Sequence, residues 1–433
     1  MPTGVKQLFM KKTPEQLRNE FWSEDIKKGG LIYNQYNQIK DVIQKEDVDW
    51  VMARYKDIKQ HAIDNTEFYK SYSADDEFPV VDKMSILKNY DSHKAKSNYD
   101  TPIHISSTSG STGTPFSVIQ NFTKRNRNIA DLKVFGELCD YPSHERMVFF
   151  RVLSEKLRRT PEQEERENIF YVDSSDLGVQ HLEQMRCVLL DKKPRIVFSY
   201  ASTLVELAKY IQISDTAPEE FGITSVLTAG EGLSEENRKI LEKAFGAKVY
   251  RRYSDMELGI LGQDNGDGGA YRLNFGSYFF ECLKVDSDQP AAEGEVGRIV
   301  ITDLFNYAFP MIRYDTGDLG IMSSGEGAFP VLKEIYGRKR DCVYSVDGRL
   351  ISPAKISVSM WGADNINQWQ FIQETQNKYT LKLNVSGEAS VEQIIEKFKG
   401  ILGIDAIIEV EFVDEIPVIS SNKRRAVICN YIP

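Results

Sequence analysis

The chain is poor in the residues that do metal and acid–base chemistry, with only five cysteines and five histidines among 433 residues. Cys139, Cys187, Cys282, Cys342 and Cys429 are far apart and form no C-x-x-C pair, which excludes a zinc ribbon or a redox dithiol and fits reduced thiols. No histidine sits in an H-x-x-x-H pattern beside an acid, so a zincin or a histidine-based hydrolase is excluded. No apolar run reaches the ~18 residues of a membrane span, and the start lacks the apolar stretch of a signal peptide. The chain therefore reads as cytoplasmic, with no membrane partner. Net charge is −10, and Lys and Arg are scattered rather than striped, so no nucleic-acid partner is expected. The length permits two or three domains and a large core.

What is present falls into three stretches. Residues 13 to about 98 read as mostly helical, opening at Thr13-Pro14-Glu15-Gln16 with proline at the first helical position. Phe21, Trp22, Tyr33, Trp50 and Tyr55 recur at roughly helical spacing and are expected in the core. A helix from about Lys124 to Cys139 and a strand at Met147 to Val152 follow, then a charged run over 155–168 expected as a solvated loop or exposed helix.

Next come a strand (Arg195 to Ser199), a helix (Thr203 to Ile211, with Ser202 as N-cap), a strand (Thr224 to Thr228), a helix (Ser234 to Phe245, ended by Gly246) and a strand (Lys248 to Tyr253). This alternation predicts right-handed parallel crossovers. Ligands of such sheets bind at the carboxyl ends of the strands. The segments 199–202, 229–232 and 253–257, with Glu231 and Glu257, are thus expected at one edge, although each acid alone also suits a turn or a helix cap.

From Ala270 the short alternating runs Tyr271 to Phe275, Tyr278 to Val285, Gly297 to Thr302 and Phe309 to Tyr314 predict antiparallel sheet. Asp264 to Gly269 reads as a surface turn. A boundary near Gly337 leaves a small α+β region: strands at Trp369 to Glu374, Tyr379 to Val385 and Ile407 to Val413, a helix at Val391 to Leu402, and a last strand to Tyr431. The fold class is α/β, with a large N-terminal domain of parallel and antiparallel sheets over 1–336 (helical over 1–98) and a small α+β domain over 337–433.

The most distinctive stretch is Ser106-Ser107-Thr108-Ser109-Gly110-Ser111-Thr112-Gly113-Thr114-Pro115, between β-like runs at Pro102 to Ile105 and Phe116 to Ile119. Its amides and hydroxyls can donate to several phosphate oxygens at once, without bulk to keep an anion away. It is not a P-loop, because Thr114 takes the lysine slot and no helix opens there. A flexible linker has the same composition, but the flanking strands argue against one.

Five elements, SSTSGSTGTP, TAGEG, YSDMELG, IRYDTGDLG with GRKRD, and SNKRR, stand in one order. That order resembles the adenylate-forming superfamily over about residues 80 to 430, and within it the phenylacetate–CoA ligase branch with its capsule-biosynthesis homologues. PVVDKMSIL and YASTLVELAKY also resemble that branch. The resemblance implies a mobile C-terminal lid, with Ser109, Gly110, Ser111, Thr112 and Gly113 around the β- and γ-phosphates of ATP. It implies Gly230, Glu231, Tyr253 and Ser254 beside adenine and the acyl pocket, and Glu257 holding Mg²⁺. Asp318 would accept the ribose hydroxyls and Arg338 would support the ribose or phosphate end. Lys423 would lie between the substrate carboxylate and the α-phosphate.

The implied activity is an acid–thiol ligase that makes acyl-AMP and pyrophosphate from a carboxylic acid, an aryl acid such as phenylacetate among the candidates. Coenzyme A then displaces AMP. The alternatives are an acceptor other than CoA (a carrier protein, a sugar amine or a protein thiol) and a nucleotide-binding protein without catalysis, against which the intact Glu257, Asp318 and Lys423 argue. Two positions depart from common relatives: Arg340 at the domain swivel, where Asp or Lys is usual, and Thr114, where Lys is frequent. Phe135, Phe149, Phe198 and Tyr200 suit either an aryl pocket or the core, and a homodimer is common among relatives.

Overall fold

The computed structural model describes residues 12–107, 116–153, 158–338, 343–351, 356, 359–360, 365–416 and 426–431, without the side chains of residues 337, 338 and 350. Two compact units interleave along the chain: Met1–Gln44, Arg125–Ser254 and Gln263–Gly268 form one, and Lys45–Lys124, Asp255–Gly262 and Gly269–Pro433 the other.

The first unit is built on five parallel strands in the order Ile169–Asp173, Met147–Arg151, Ile196–Ser199, Ser225–Ala229 and Lys248–Ser254. Alternation splits their side chains between two faces. Val148, Phe150, Val197, Val226 and Val249 pack against helices through Leu189, Leu204 and Leu241. Met147, Ile196, Leu227 and Tyr250 gather in a separate cluster with Cys139 and Tyr141, and Phe149 and Phe198 lie half-buried against it. The predicted alternation of strand and helix is present, with helices Val179–Lys192, Ala201–Gln212 and Glu235–Phe245. Ser234 caps the last of these through the Asn237 N–H, and Gly246 ends it at φ +60°.

Ser202 is not an N-cap, because Ala201 already starts that helix and Tyr200 holds the cap position. Asp264 is no surface turn residue either. It is 1% exposed and takes Arg238 Nη2 at 2.9 Å and Arg251 Nε at 2.7 Å. The charged run contributes the helix Pro161–Glu167, which buries no residue.

The N-terminal helices begin as predicted, with Thr13 and Gln16 forming a reciprocal capping box on Pro14–Lys27. That helix buries no residue fully, so Phe21 and Trp22 are half-buried, and Tyr33 in the next helix, Leu31–Lys45, is exposed. These rings make aromatic contacts at the surface, Trp22 with Tyr33 at 5.5 Å and Phe21 with His144 at 5.2 Å.

The second unit contains antiparallel strands in the order Tyr278–Lys284, Val296–Asp303, Tyr314–Ser323, Val331–Arg338 and Tyr271–Leu273. The predicted run at Phe309 to Tyr314 is not a strand. Its residues are buried as irregular chain, and the strand starts at Tyr314. A hairpin pairs His104–Ser107 with Gln120–Ser117. The C-terminal residues form a four-stranded sheet in the order Ile407–Phe412, Lys378–Val385, Ile366–Gln373 and Val427–Cys429, with the helix Val391–Leu402. Their core, which includes Phe371, Tyr379, Leu381 and Phe398, draws only on residues from 343 onward.

Candidate active site

The second unit brings two of the predicted acids together with the stem of the Ser/Thr/Gly loop. Asp255 shapes a tight turn, because its Oδ1 accepts the N–H groups of Leu258 at 2.6 Å and Gly259 at 3.4 Å. The turn hangs on buried groups. The Tyr278 hydroxyl donates to the Leu258 carbonyl at 2.7 Å, and Lys124 Nζ donates to the Tyr278 hydroxyl at 2.9 Å. Lys124 also pairs at 2.7 Å with Asp303, with both side chains fully buried.

The hairpin docks on the same turn. Ser106 Oγ donates to the Met256 carbonyl at 2.6 Å and Gln120 Nε2 to the Glu257 carbonyl at 3.3 Å. Its last register pair is Ser107 with Ser117, at the end of a ladder fixed to Glu257's own backbone. Ser109, Gly110, Ser111, Thr112, Gly113 and Thr114 lie outside the described residues, as do Arg340, Lys423 and the side chain of Arg338.

Asp318 does not follow a strand, as its sequence position suggests, but bulges out of one. Arg298 pairs with Leu319 and Val300 with Asp315, so Thr316, Gly317 and Asp318 stand opposite the single residue Ile299. Gly317 has φ +77° with open space around it, so backbone conformation rather than room calls for glycine. Asp315 anchors the bulge by accepting Gly317 N–H and Arg298 Nη1, each at 2.8 Å. Thr316 Oγ1 accepts the Asp318 N–H at 3.1 Å.

Three carboxylates influence one another here. Asp255 is pushed well above the ordinary aspartate range by desolvation first and by the Glu257 charge second, with Asp318 adding to the effect. The two N–H bonds it accepts pull the other way without cancelling it. Asp255 was not singled out from sequence, although it lies two residues before Glu257 in the same motif. Lys124, Tyr278 and Gln120 were missed entirely, having no local signal. Among the described residues no three acidic, imidazole or thiol groups stand close enough to cage a metal. A single carboxylate at Glu257 fits Mg²⁺, which is commonly held by one or two carboxylates together with phosphate oxygens.

The other predicted acid, Glu231, lies in the first unit and caps a helix. Its Oε2 accepts the Ser202 N–H at 2.8 Å in the first turn of Ala201–Gln212, where a negative charge suits the helix dipole. Oε1 is buried with no hydrogen-bond partner among the described residues. Gly230 adopts φ +77° at the carboxyl end of its strand. Tyr253 is buried and Ser254 half-buried at the end of Lys248–Ser254.

The fold is that of the adenylate-forming enzymes. 2-Hydroxyisobutyryl-CoA ligase in its postadenylation state, bound to an acyl-AMP, aligns with a TM-score of 0.71 at 18% identity over 89% of this chain and 90% of its own. ATP-bound MatB from Rhodopseudomonas palustris aligns with a TM-score of 0.54 at 16% identity over 73% of this chain and 65% of its own. More narrowly, residues 343–430 match the CapK C-terminal domain. A phenylacetate–coenzyme A ligase of Thermus thermophilus is 27% identical over 147 residues, which is 33% of this chain and 32% of that relative's length.

Proposed function

We propose that this protein is an ATP- and Mg²⁺-dependent acid–thiol ligase that converts a carboxylic acid to its acyl-adenylate and then transfers the acyl group to coenzyme A. The carrying observation is the hairpin hydrogen-bonded to the turn that bears Glu257, a carboxylate suited to a hard cation. Ser109 to Gly113 donate to the β- and γ-phosphates. Glu257 holds Mg²⁺, which when bound draws negative charge off the phosphate oxygens. Asp318 accepts both ribose hydroxyls, a two-fold acceptor role that a carboxylate fills well, and Arg338 supports the same end of the nucleotide. Gly230, Glu231, Tyr253 and Ser254 border the adenine.

Attack of one anion on another needs cationic charge where negative charge accumulates. Lys423 brings that charge to the substrate carboxylate and the α-phosphate. The self-contained core of residues 343–427 supports motion of 337–433 as a lid, with Arg340 at the swivel. The match to the CapK C-terminal domain supports a second reading in which the acceptor is a carrier protein, a sugar amine or a protein thiol. We further propose a cytoplasmic homodimer.

A screen of carboxylic acids, phenylacetate among them, tests the ligase reading through pyrophosphate release with ATP and Mg²⁺. No release with any acid rejects it. Dependence of AMP release on CoA then separates the two acceptors.

A further inference from the structure

The parallel sheet of the first unit carries a group of rings and guanidinium groups that the chemistry above does not use. Tyr171, Phe149 and Phe198 are register neighbours on three adjacent strands, so their rings lie side by side on one face. Phe149 stacks on Phe198 at 4.4 Å and 22° and meets Tyr171 at 5.6 Å. All three are half-buried, unlike the sealed Met147 and Ile196 nearer the amino ends of their strands.

Arginines top this row at the carboxyl ends, where such sheets bind ligands. The Arg151 guanidinium lies 5.1 Å from the Phe149 ring centroid, that of Arg159 5.9 Å from Tyr171, and that of Arg252 5.8 Å from Phe198. Arg125, itself exposed, joins them, since its pKa is lowered first by partial desolvation and then by the charge of Arg159.

Among the described residues the neighbouring acids are engaged elsewhere. Asp173, the register partner of Arg151, accepts the N–H groups of Leu153 and Ser175 and the Ser175 hydroxyl. Glu164 accepts the Tyr171 N–H at 3.0 Å, and Glu167 pairs with Arg166 at 3.5 Å. Arg125, Arg151 and Arg159 make no ion pair among the described residues. Like charges gathered without an ion-pair partner among the described residues disfavour one another. Planar guanidinium groups beside ring faces suit a flat ligand ending in a carboxylate or phosphate.

We propose that this row is the acyl-group subsite and that the acid it takes is aromatic and carries a second anionic group, a carboxylate or a phosphate, received by Arg125, Arg151 and Arg159. This assignment rests on the ligase reading for its use but not for its detection. The full chain is tested with phenylacetate, 4-carboxyphenylacetate and 4-(phosphonooxy)phenylacetate, by calorimetric binding without ATP and by pyrophosphate release with ATP and Mg²⁺.

At least one doubly anionic probe is expected to bind about tenfold or more tightly than phenylacetate, the size of one charge-assisted contact. The tighter of the two identifies carboxylate or phosphate. The advantage should vanish in Arg125→Gln/Arg159→Gln and largely return in Arg125→Lys/Arg159→Lys, which a merely structural role would not produce. Equal binding of all three probes, or an advantage that survives the glutamine pair, overturns the proposal. Pyrophosphate release with phenylacetate but no advantage for a second anion leaves the ligase reading standing and removes this subsite. A binding advantage that follows the arginines without pyrophosphate release from any acid does the reverse.

Discussion

Replacing Lys124 with methionine tests how the acidic turn is held. Lys124 Nζ lies 2.7 Å from Asp303 and 2.9 Å from the Tyr278 hydroxyl, and neither charged side chain is exposed at all. In Lys124→Met the Asp303 carboxylate keeps its two backbone donors, Phe305 N–H at 2.9 Å and Asn306 N–H at 3.2 Å, but loses its counter-charge. Stranding one partner of a buried pair costs about 3–5 kcal/mol. For a chain of this size each kcal/mol lowers the melting temperature by about 2–4 °C, so a fall of roughly 6–20 °C is expected. Urea and thermal unfolding measure it directly.

Removing both charges in Lys124→Met/Asp303→Leu should recover most of the loss, because an apolar pair strands no ion. In Tyr278→Phe the ion pair survives but the Leu258 carbonyl loses its donor. That variant should keep most of its stability while its apparent KM for ATP rises. A Lys124→Met protein within about 1 kcal/mol of the parent, or a double variant no better than the single one, would refute the reasoning.

Three more outcomes follow from the same features. Asp318→Ala should raise the apparent KM for ATP in pyrophosphate-release kinetics, and an unchanged value rules out ribose contact. Lys423→Ala should slow adenylation by about 10²–10³ while transfer from synthetic acyl-AMP is largely spared, and equal loss in both half-reactions rejects its role. His93 is 1% exposed, stacks on Phe68 at 3.9 Å and has no hydrogen bond to either ring nitrogen, so burial pushes its pKa down to about 4. Its folded pKa lies below the unfolded 6.5, so its contribution is complete above 6.5 and is lost as pH falls through 4, up to roughly 3 kcal/mol. His93→Leu should flatten the acid side of a melting-temperature profile between pH 4 and 6.5, and a profile parallel to the parent's would contradict this.

Regular, local features were legible in the amino-acid sequence. The alternation of apolar strands and capped helices over 195–253 predicts the parallel sheet, and Val391–Leu402 appears with the bounds its periodicity predicts. Thr13, Ser234 and Gly246 act within one helical turn of themselves, so their neighbours in sequence are also their neighbours in space. The order of motifs points to Glu257 and Asp318 as candidates.

Where a charge finds its partner was decided by tertiary structure. Lys124 reads as one more helical lysine until the fold sets it against Tyr278, 154 residues away. Asp264 reads as a turn acid until two arginines close on it, and Glu231 as a loop acid until it caps a helix that starts 30 residues earlier. Through-space pairing and desolvation depend on which surfaces meet, and the local pattern of residues carries no record of that. The raised pKa of Asp255 has in part the same origin, since it exists only where burial, the neighbouring Glu257 and the distant Asp318 coincide.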